Sequence, residues 1–195
     1  MLQESPSAII PLLGLYYIGF NHCLALFAFH YVYRAFYYPM QLKHTTQMPI
    51  YILAMAFVFC LYNGYMQTCY EVFNPIHKSG LIAQIVGHIL FFTGFYTHLW
   101  SDRYLLQLKE KAVAKNQRYL VPSEGIFVYI TCPNYFGEML QWLGFSLISW
   151  SLPAFAFFIF TCANLVPRAY SHHEWYKGTF PNYPRQRNIL IPLIW

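Results

Sequence analysis

The feature that most constrains this chain is a series of long apolar runs separated by short polar stretches. A helix needs roughly 20 apolar residues to cross the hydrocarbon core of a bilayer. Only 10% of the 195 residues are charged, whereas a soluble domain carries about 25%. The pattern therefore predicts an all-α, polytopic membrane helical bundle of about six helices. The predicted spans are residues 8–36, 49–70, 80–100, 127–150 and 152–166.

Two breaks are predicted within these runs. The first run is long enough to hold a short separate helix over residues 8–13, ending at Gly14. The last two runs are predicted to hinge near Ser151 and Pro153, since proline fits the start of a helix better than its interior. We expect residues 1–195 to form one domain, with residues 167–195 as a polar C-terminal tail.

The basic residues are distributed unevenly among the polar stretches. If successive spans alternate in direction, the first loop, the third loop and the tail share one face of the membrane. Eleven of the twelve Lys and Arg residues lie on that face, and Lys78 alone lies on the other. Cytoplasmic loops carry an excess of Lys and Arg. A multi-pass topology with a cytoplasmic C-terminus is therefore predicted, and its basic face would attract anionic molecules.

Several functional classes lack their sequence patterns here. The five cysteines include no CxxC pair and no zinc spacing, and buried small hydrophobes are the simpler interpretation. The sequence contains no Walker motif and no G-x-G-x-x-G, which argues against P-loop and Rossmann nucleotide sites. No metal, nucleic acid or obligate protein partner is predicted.

Some polar residues need an explanation because they lie in or beside apolar runs. Glu138 lies inside one, and a carboxylate within the membrane indicates either function or an internal bond to a nearby Arg or His. Tyr31 and Arg34 are three residues apart and share a helical face. They suit either a binding site or an interfacial anchor with a snorkelling Arg.

A third group of polar residues opens the tail at helical spacing. Arg168, His172 and Tyr176 step by four, so one face of a helix would carry all three. A guanidinium, an imidazole and a phenol together are suited to holding a phosphate group. The alternative, a metal site, lacks a second His or Cys pair at ligand spacing.

Taken in order, seven sequence blocks resemble the steroid 5α-reductase family. They are Leu2-Gln-Glu-Ser-Pro-Ser7, His30-Tyr31 with Arg34, Cys60-Leu-Tyr-Asn-Gly64, Ser101-Asp102, Asn134-Tyr-Phe-Gly-Glu138, Arg168 with His172 and Tyr176, and Asn182-Tyr-Pro184. The resemblance extends over essentially the whole chain, from Leu2 to Trp195. It implies a seven-helix fold that encloses NADPH and a steroid, and this chain would lack the first family helix.

The resemblance also implies an activity and a location. The activity is NADPH-dependent reduction of the Δ4 double bond of a 3-oxo-steroid, an oxidoreductase reaction of steroid and lipid metabolism. The location is the endoplasmic reticulum membrane, with the lipid bilayer supplying the steroid or a related lipid.

Individual residues acquire expected roles through this resemblance. Glu4 and Tyr31 correspond to the catalytic pair that holds the 3-oxo group, where a phenol can stabilise charge on the oxygen and a carboxyl can orient the phenol. Lys109 stands where the family usually has Arg. The expected NADPH-binding residues are Arg34, Tyr38, Asn63, Asp102, Lys109, Tyr119, Asn134, Glu138, Arg168, His172 and Tyr176.

Three other functions are compatible with parts of the sequence. One is reduction of another lipid enone or a polyprenol. A second is a membrane methyltransferase of the isoprenylcysteine type, although Cys132-Pro133-Asn134 stands where that class shows Arg-His-Pro. The third is an inactive, truncated sterol-binding membrane protein.

Overall fold

The structure, a computed structural model, describes residues 3–42, 49–74, 79–192 and 194–195. Leu2, Lys43 and Lys78 lie outside the described residues. Within those ranges the regular secondary structure is helical, and extended pairing is limited to an isolated parallel bridge between Ile130 and Asn188. The predicted all-α class is therefore confirmed. The longer helices are α1 (Ser5–Ile18), α2 (His22–Val32), α3 (Ile50–Phe73), α4 (Leu81–Ala114), α5 (Pro133–Ser149) and α6 (Leu152–Thr179).

Among the described helices, α3, α4 and α6 are long and apolar enough to cross a membrane. Helix α1 is also apolar but shorter. Helix α2 continues without a break into a π-helical turn, Tyr33–Tyr37, and a final α-helical turn, Tyr38–Met40. The membrane class predicted from the apolar runs is confirmed by these lengths and compositions.

The first apolar run divides at a different point from the predicted one. Helix α1 continues through Gly14 and ends at Ile18, and Gly19 then adopts a positive φ of 83°. The Asn21 side chain accepts a hydrogen bond of 3.0 Å from the Leu24 amide and so caps α2. Gly14 does not end a helix; a Cβ there would lie 2.7 Å from Thr68 Cγ2, so glycine permits close packing. The predicted end at Gly14 is wrong.

Other helix ends also differ from the apolar boundaries. Helix α4 continues to Ala114 through residues rich in Leu, Lys, Glu and Ala, which favour helix whether or not they are apolar. Helix α6 contains Pro167 and continues to Thr179, so the first part of the predicted tail is helical. Helix α5 begins at Pro133 rather than at residue 127, as proline suits the first helical position. The predicted hinge near Ser151 is confirmed, and Ser151 Oγ accepts a 3.2 Å hydrogen bond from the Ala154 amide.

The chain forms two compact units, which are described separately. The first comprises Met1–Gly87 and Phe145–Phe157. Its core is built around Phe27, whose ring lies 4.8 Å from the Tyr31 ring and 5.7 Å from the Phe145 ring. Helix α1 packs against both α2 and α3. Because of this packing, Tyr31 of α2 and Asn63 of α3 are buried within the first unit.

The second unit comprises His88–Gly144 and Phe158–Trp195. Within it, α4 and α5 approach so closely that a Cβ on Gly137 would lie 2.7 Å from the Gly94 carbonyl oxygen and 2.6 Å from the His98 amide nitrogen. Only glycine permits this distance between two backbones. The close approach determines which side chains of α4 and α5 face one another.

Candidate functional site

Glu4 lies at the amino-terminal end of α1, in the first unit. The first turn of α1 is fixed to α3 because Ser7 Oγ donates a 2.8 Å hydrogen bond to the Cys60 carbonyl. The Glu4 carboxylate pairs with Arg34 Nε at 3.5 Å, and the Arg34 guanidinium lies 5.4 Å from the centre of the Tyr38 ring. Glu4, Arg34 and Tyr38 are therefore brought together where α1 meets the π-helical end of α2.

Tyr31 occupies the buried side of α2, with 6% of its surface exposed. Its ring packs on Phe27 and lies edge-on to His30. Its hydroxyl oxygen accepts a long hydrogen bond of 3.4 Å from Asn63 Nδ2 on α3. Tyr31, predicted as a catalytic residue, and Asn63, predicted separately as a cofactor-binding residue, are thus in contact at a buried position.

In the second unit, the close approach of α4 and α5 gathers three predicted residues around His98. The imidazole Nδ1 lies 3.2 Å from the Asn134 carbonyl oxygen and 4.0 Å from the Glu138 carboxylate. Its Nε2 lies 3.5 Å from the Asp102 carboxylate, one helical turn along α4. Asn134 Nδ2 also donates to Asp102 Oδ1 at 3.5 Å. Asp102, Asn134 and Glu138 therefore form one polar group with a buried histidine.

Of the three residues predicted to share one face of α6, the structure leaves Arg168 and His172 exposed, whereas Tyr176 packs against other aromatic rings. The exposed His172 lies with its Nε2 3.2 Å from the Tyr135 hydroxyl, and Arg168 is one turn earlier on α6 and is also exposed. Tyr176 instead stacks on Tyr183, with ring centres 5.3 Å apart and planes at 13°. Arg168 and His172 thus lie one turn apart on α6, where His172 contacts Tyr135 of α5, while Tyr176 packs on Tyr183 near the end of the chain.

Two further predicted residues lie elsewhere in this unit. Lys109 occupies an exposed position of α4. Tyr119 follows α4 and packs edge-on against Trp175, with ring centres 5.0 Å apart. The Arg118 guanidinium lies 5.4 Å from the centre of the Tyr119 ring. Lys109 and Tyr119 are thus placed at the surface of the second unit.

Four residues that were not predicted form a buried cluster at the chain end. Thr131 Oγ1 lies 2.7 Å from His173 Nδ1 and 2.8 Å from the Tyr183 hydroxyl. Arg187 Nη1 donates to the Pro122 carbonyl at 2.9 Å, and its guanidinium lies 4.8 Å from the centre of the Tyr183 ring. This cluster attaches the last residues of the chain to the segment before α5.

The sequence contained partial signals for the residues that were missed. His98 precedes Asp102 by four positions, so a shared face was visible, but not the approach of α5. Tyr135 belongs to the Asn134–Glu138 block. His172 is exposed and its neighbour His173 is buried, but the spacing of residues in the sequence does not show which of the two rings faces inward.

The donor set of the second unit suits a phosphorylated dinucleotide. A guanidinium and an imidazole at the surface can bind phosphate oxygens, as Arg168 and His172 are placed to do. The amide and carboxylates around His98 can donate to and accept from hydroxyl and carboxamide groups. The residues present therefore fit a cofactor of the NADPH type.

Comparison with known proteins gives consistent matches. A family model described as 3-oxo-5-alpha-steroid 4-dehydrogenase matches residues 46–195. The Bos taurus protein 3-oxo-5-alpha-steroid 4-dehydrogenase 1 is 34% identical, over 99% of this chain and 79% of its own length. The Homo sapiens protein of that name is 36% identical over 88% of this chain, and Steroid 5-alpha-reductase DET2 of Arabidopsis thaliana is 36% identical over 85%. This chain spans 66% of the length of each of the latter two.

Proposed function

We propose a reaction for this chain, which belongs to the 3-oxo-5-alpha-steroid 4-dehydrogenase family. The chain reduces the Δ4 double bond of a 3-oxo-steroid to the 5α product with NADPH. The observation that carries the proposal is the buried Tyr31 phenol, which accepts a hydrogen bond from Asn63 on a neighbouring helix. A buried phenol is a suitable group for stabilising negative charge on a substrate oxygen.

Tyr31 and Glu4 would act on the ketone of the substrate. Addition of hydride to the β-carbon of an enone moves negative charge onto the carbonyl oxygen. A proton from water would then add to the α-carbon, which restores the ketone and completes the reduction. A hydrogen bond from the Tyr31 hydroxyl would stabilise that charge, and the low polarity around Phe27 would strengthen the interaction. Glu4, held by Arg34, would orient the phenol or share a proton with it.

The cofactor would be held mainly by residues of the second unit and would supply the hydride when bound. Arg168 and His172 would bind phosphate groups, while Asp102, Asn134 and Glu138 would bind ribose or carboxamide groups. His98 would keep these three side chains in place. The other proposed cofactor residues are Arg34, Tyr38, Asn63, Lys109, Tyr119 and Tyr176.

The proposed location is the endoplasmic reticulum membrane, with the C-terminus in the cytoplasm. Two observations support this topology: three of the described helices are long enough to span a bilayer, and basic residues predominate on one predicted face. A steroid would then reach the protein from the bilayer, and NADPH would reach it from the cytoplasm.

The proposal is tested by adding a Δ4-3-oxo-steroid to membranes that contain the protein. We expect NADPH oxidation that depends on the steroid, and a steroid product heavier by two hydrogen atoms. The matched control is the corresponding steroid with a saturated A ring, which should cause no oxidation. Oxidation with a polyprenyl enone but not with any steroid would favour the alternative substrate class. Cofactor binding without oxidation of NADPH by either substrate would contradict a reductase.

A further inference from the structure

A short chain of buried amides leads from Tyr31 to the first turn of α6. Asn63 and Gln67 lie one turn apart on α3, with 6% and 3% of their surfaces exposed. Gln67 Nε2 donates to Asn63 Oδ1 at 3.3 Å and to the Pro153 carbonyl oxygen at 3.0 Å. Asn63 Nδ2 in turn donates to the Tyr31 oxygen at 3.4 Å. All four residues belong to the first unit.

The Pro153 carbonyl sets the direction of all three hydrogen bonds in this series of buried side chains. A backbone carbonyl can only accept, so the amide nitrogen of Gln67 must face Pro153. The same nitrogen faces Asn63, which must then present its oxygen to Gln67. Asn63 is left with its nitrogen toward Tyr31. The phenol oxygen is therefore an acceptor toward Asn63, and its own proton is directed toward a different acceptor.

We propose that Gln67 is a positioning residue, which orients the Asn63 amide so that the Tyr31 hydroxyl donates to the substrate carbonyl. This inference rests on the proposed function, in which Tyr31 stabilises charge on that oxygen. With the Asn63 amide turned round, its oxygen would accept the phenol proton and compete with the ketone for it. Gln67 thus controls turnover while lying one helical turn from the residue that contacts Tyr31.

A purely structural role for Gln67 makes a different prediction. If Gln67 only connects α3 to Pro153, its loss should lower thermal stability, and any uncharged side chain of similar size should restore most activity. A directional role should instead depend on whether the atom facing Asn63 donates or accepts. The substitutions Gln67→Glu and Gln67→Met separate the two, because both conserve size while only Glu replaces the donor with an acceptor.

The test measures kcat, the steroid KM, the NADPH dissociation constant and thermal unfolding for both variants in membranes or detergent. We expect Gln67→Met to lower kcat by about threefold to tenfold, since Asn63 becomes free to rotate. Gln67→Glu should lower kcat at least about tenfold further, because the Asn63 nitrogen turns toward the new oxygen. The steroid KM should stay within about twofold of the wild type. The NADPH dissociation constant measures separately any change in the proposed contact of Asn63 with the cofactor.

Either of two results would overturn the inference: an equal loss of kcat in the two variants, or a wild-type kcat in Gln67→Glu. Should Gln67→Glu fail to fold, a wild-type kcat in Gln67→Met overturns it equally. Tyr31→Phe in the same assay separates this inference from the proposed function. Normal turnover in Tyr31→Phe removes the proposed role of the phenol, whereas an inactive Tyr31→Phe with a normal Gln67→Glu removes only the role of Gln67.

Discussion

The buried amides beside Tyr31 in the first unit and the proposed phosphate-binding pair of the second unit differ in their exposure to solvent. In the first unit, Tyr31, Asn63 and Gln67 are buried, and their hydrogen bonds run in one direction from the Pro153 carbonyl. In the second unit, Arg168 and His172 are exposed. Burial suits a group that must stabilise charge appearing only during a reaction, because solvent would otherwise screen the interaction. Exposure suits groups that capture a permanently charged molecule from water.

The largest effect is expected at the buried phenol. Tyr31→Phe removes the hydroxyl but keeps the ring that packs on Phe27. We expect kcat to fall by about 100-fold or more, which is the usual loss when one donor to a developing oxyanion is removed. Turnover by membranes containing the variant provides the measurement. The control is Tyr16→Phe at an exposed position of α1, which should leave kcat unchanged. A kcat equal to that of the wild type in Tyr31→Phe would show that burial of this phenol has no catalytic purpose.

An intermediate effect is expected where α4 and α5 approach. Gly137→Ala places a Cβ against the Gly94 carbonyl oxygen and the His98 amide, so the helices must separate. We expect a loss of about 1–3 kcal/mol in the free energy of unfolding, together with weaker NADPH binding. Thermal unfolding and cofactor titration in detergent give both values. Gly178→Ala is the matched control, because a Cβ there has no neighbour within 4 Å. Equal behaviour of the two variants would mean that the close approach does not organise the residues around His98.

The smallest effect is expected at an exposed ion pair of the second unit. Lys177 Nζ lies 2.9 Å from Glu174 on α6, and both side chains are nearly half exposed. Solvent and salt weaken such pairs, so Lys177→Ala should change the free energy of unfolding by less than about 0.5 kcal/mol. Thermal unfolding at low and high salt checks this value. A loss as large as that expected from Gly137→Ala would mean that surface pairs contribute substantially to the second unit.

The sequence predicted the parts of the fold that depend on composition and local spacing. The membrane class follows from the apolar runs, and the break near Ser151 follows from a serine and a proline. The predicted end of α1 at Gly14 was wrong because this glycine allows close packing against Thr68, which is distant in sequence. The apolar boundary at residue 100 did not end α4 because helix propensity continues beyond it.

The candidate residues show the same division between local and distant information. The spacing of Arg168 and His172 predicted that they lie on one face of a helix, and both residues lie one turn apart on α6. The contacts of Tyr176 with Tyr183, and of Asn134 with Asp102, depend on how segments far apart in the chain pack together. Asn63 was expected from the resemblance, but its hydrogen bonds with Gln67 and Tyr31 were not, because their direction is set by the distant Pro153 carbonyl.

The NADPH dissociation constant, measured by titration of the purified protein, tests the division between the two units most directly. Arg168→Ala should raise it about tenfold or more, since a charge-assisted hydrogen bond is worth about 1.5–3 kcal/mol. The exposed Arg185→Ala serves as the control and should leave it unchanged. Tyr31→Phe should bind NADPH within about twofold of the wild type while turnover is lost. An unchanged constant in Arg168→Ala, or an equally large increase in Tyr31→Phe, would contradict the proposal that the first unit carries the substrate chemistry and the second unit supplies most of the cofactor contacts.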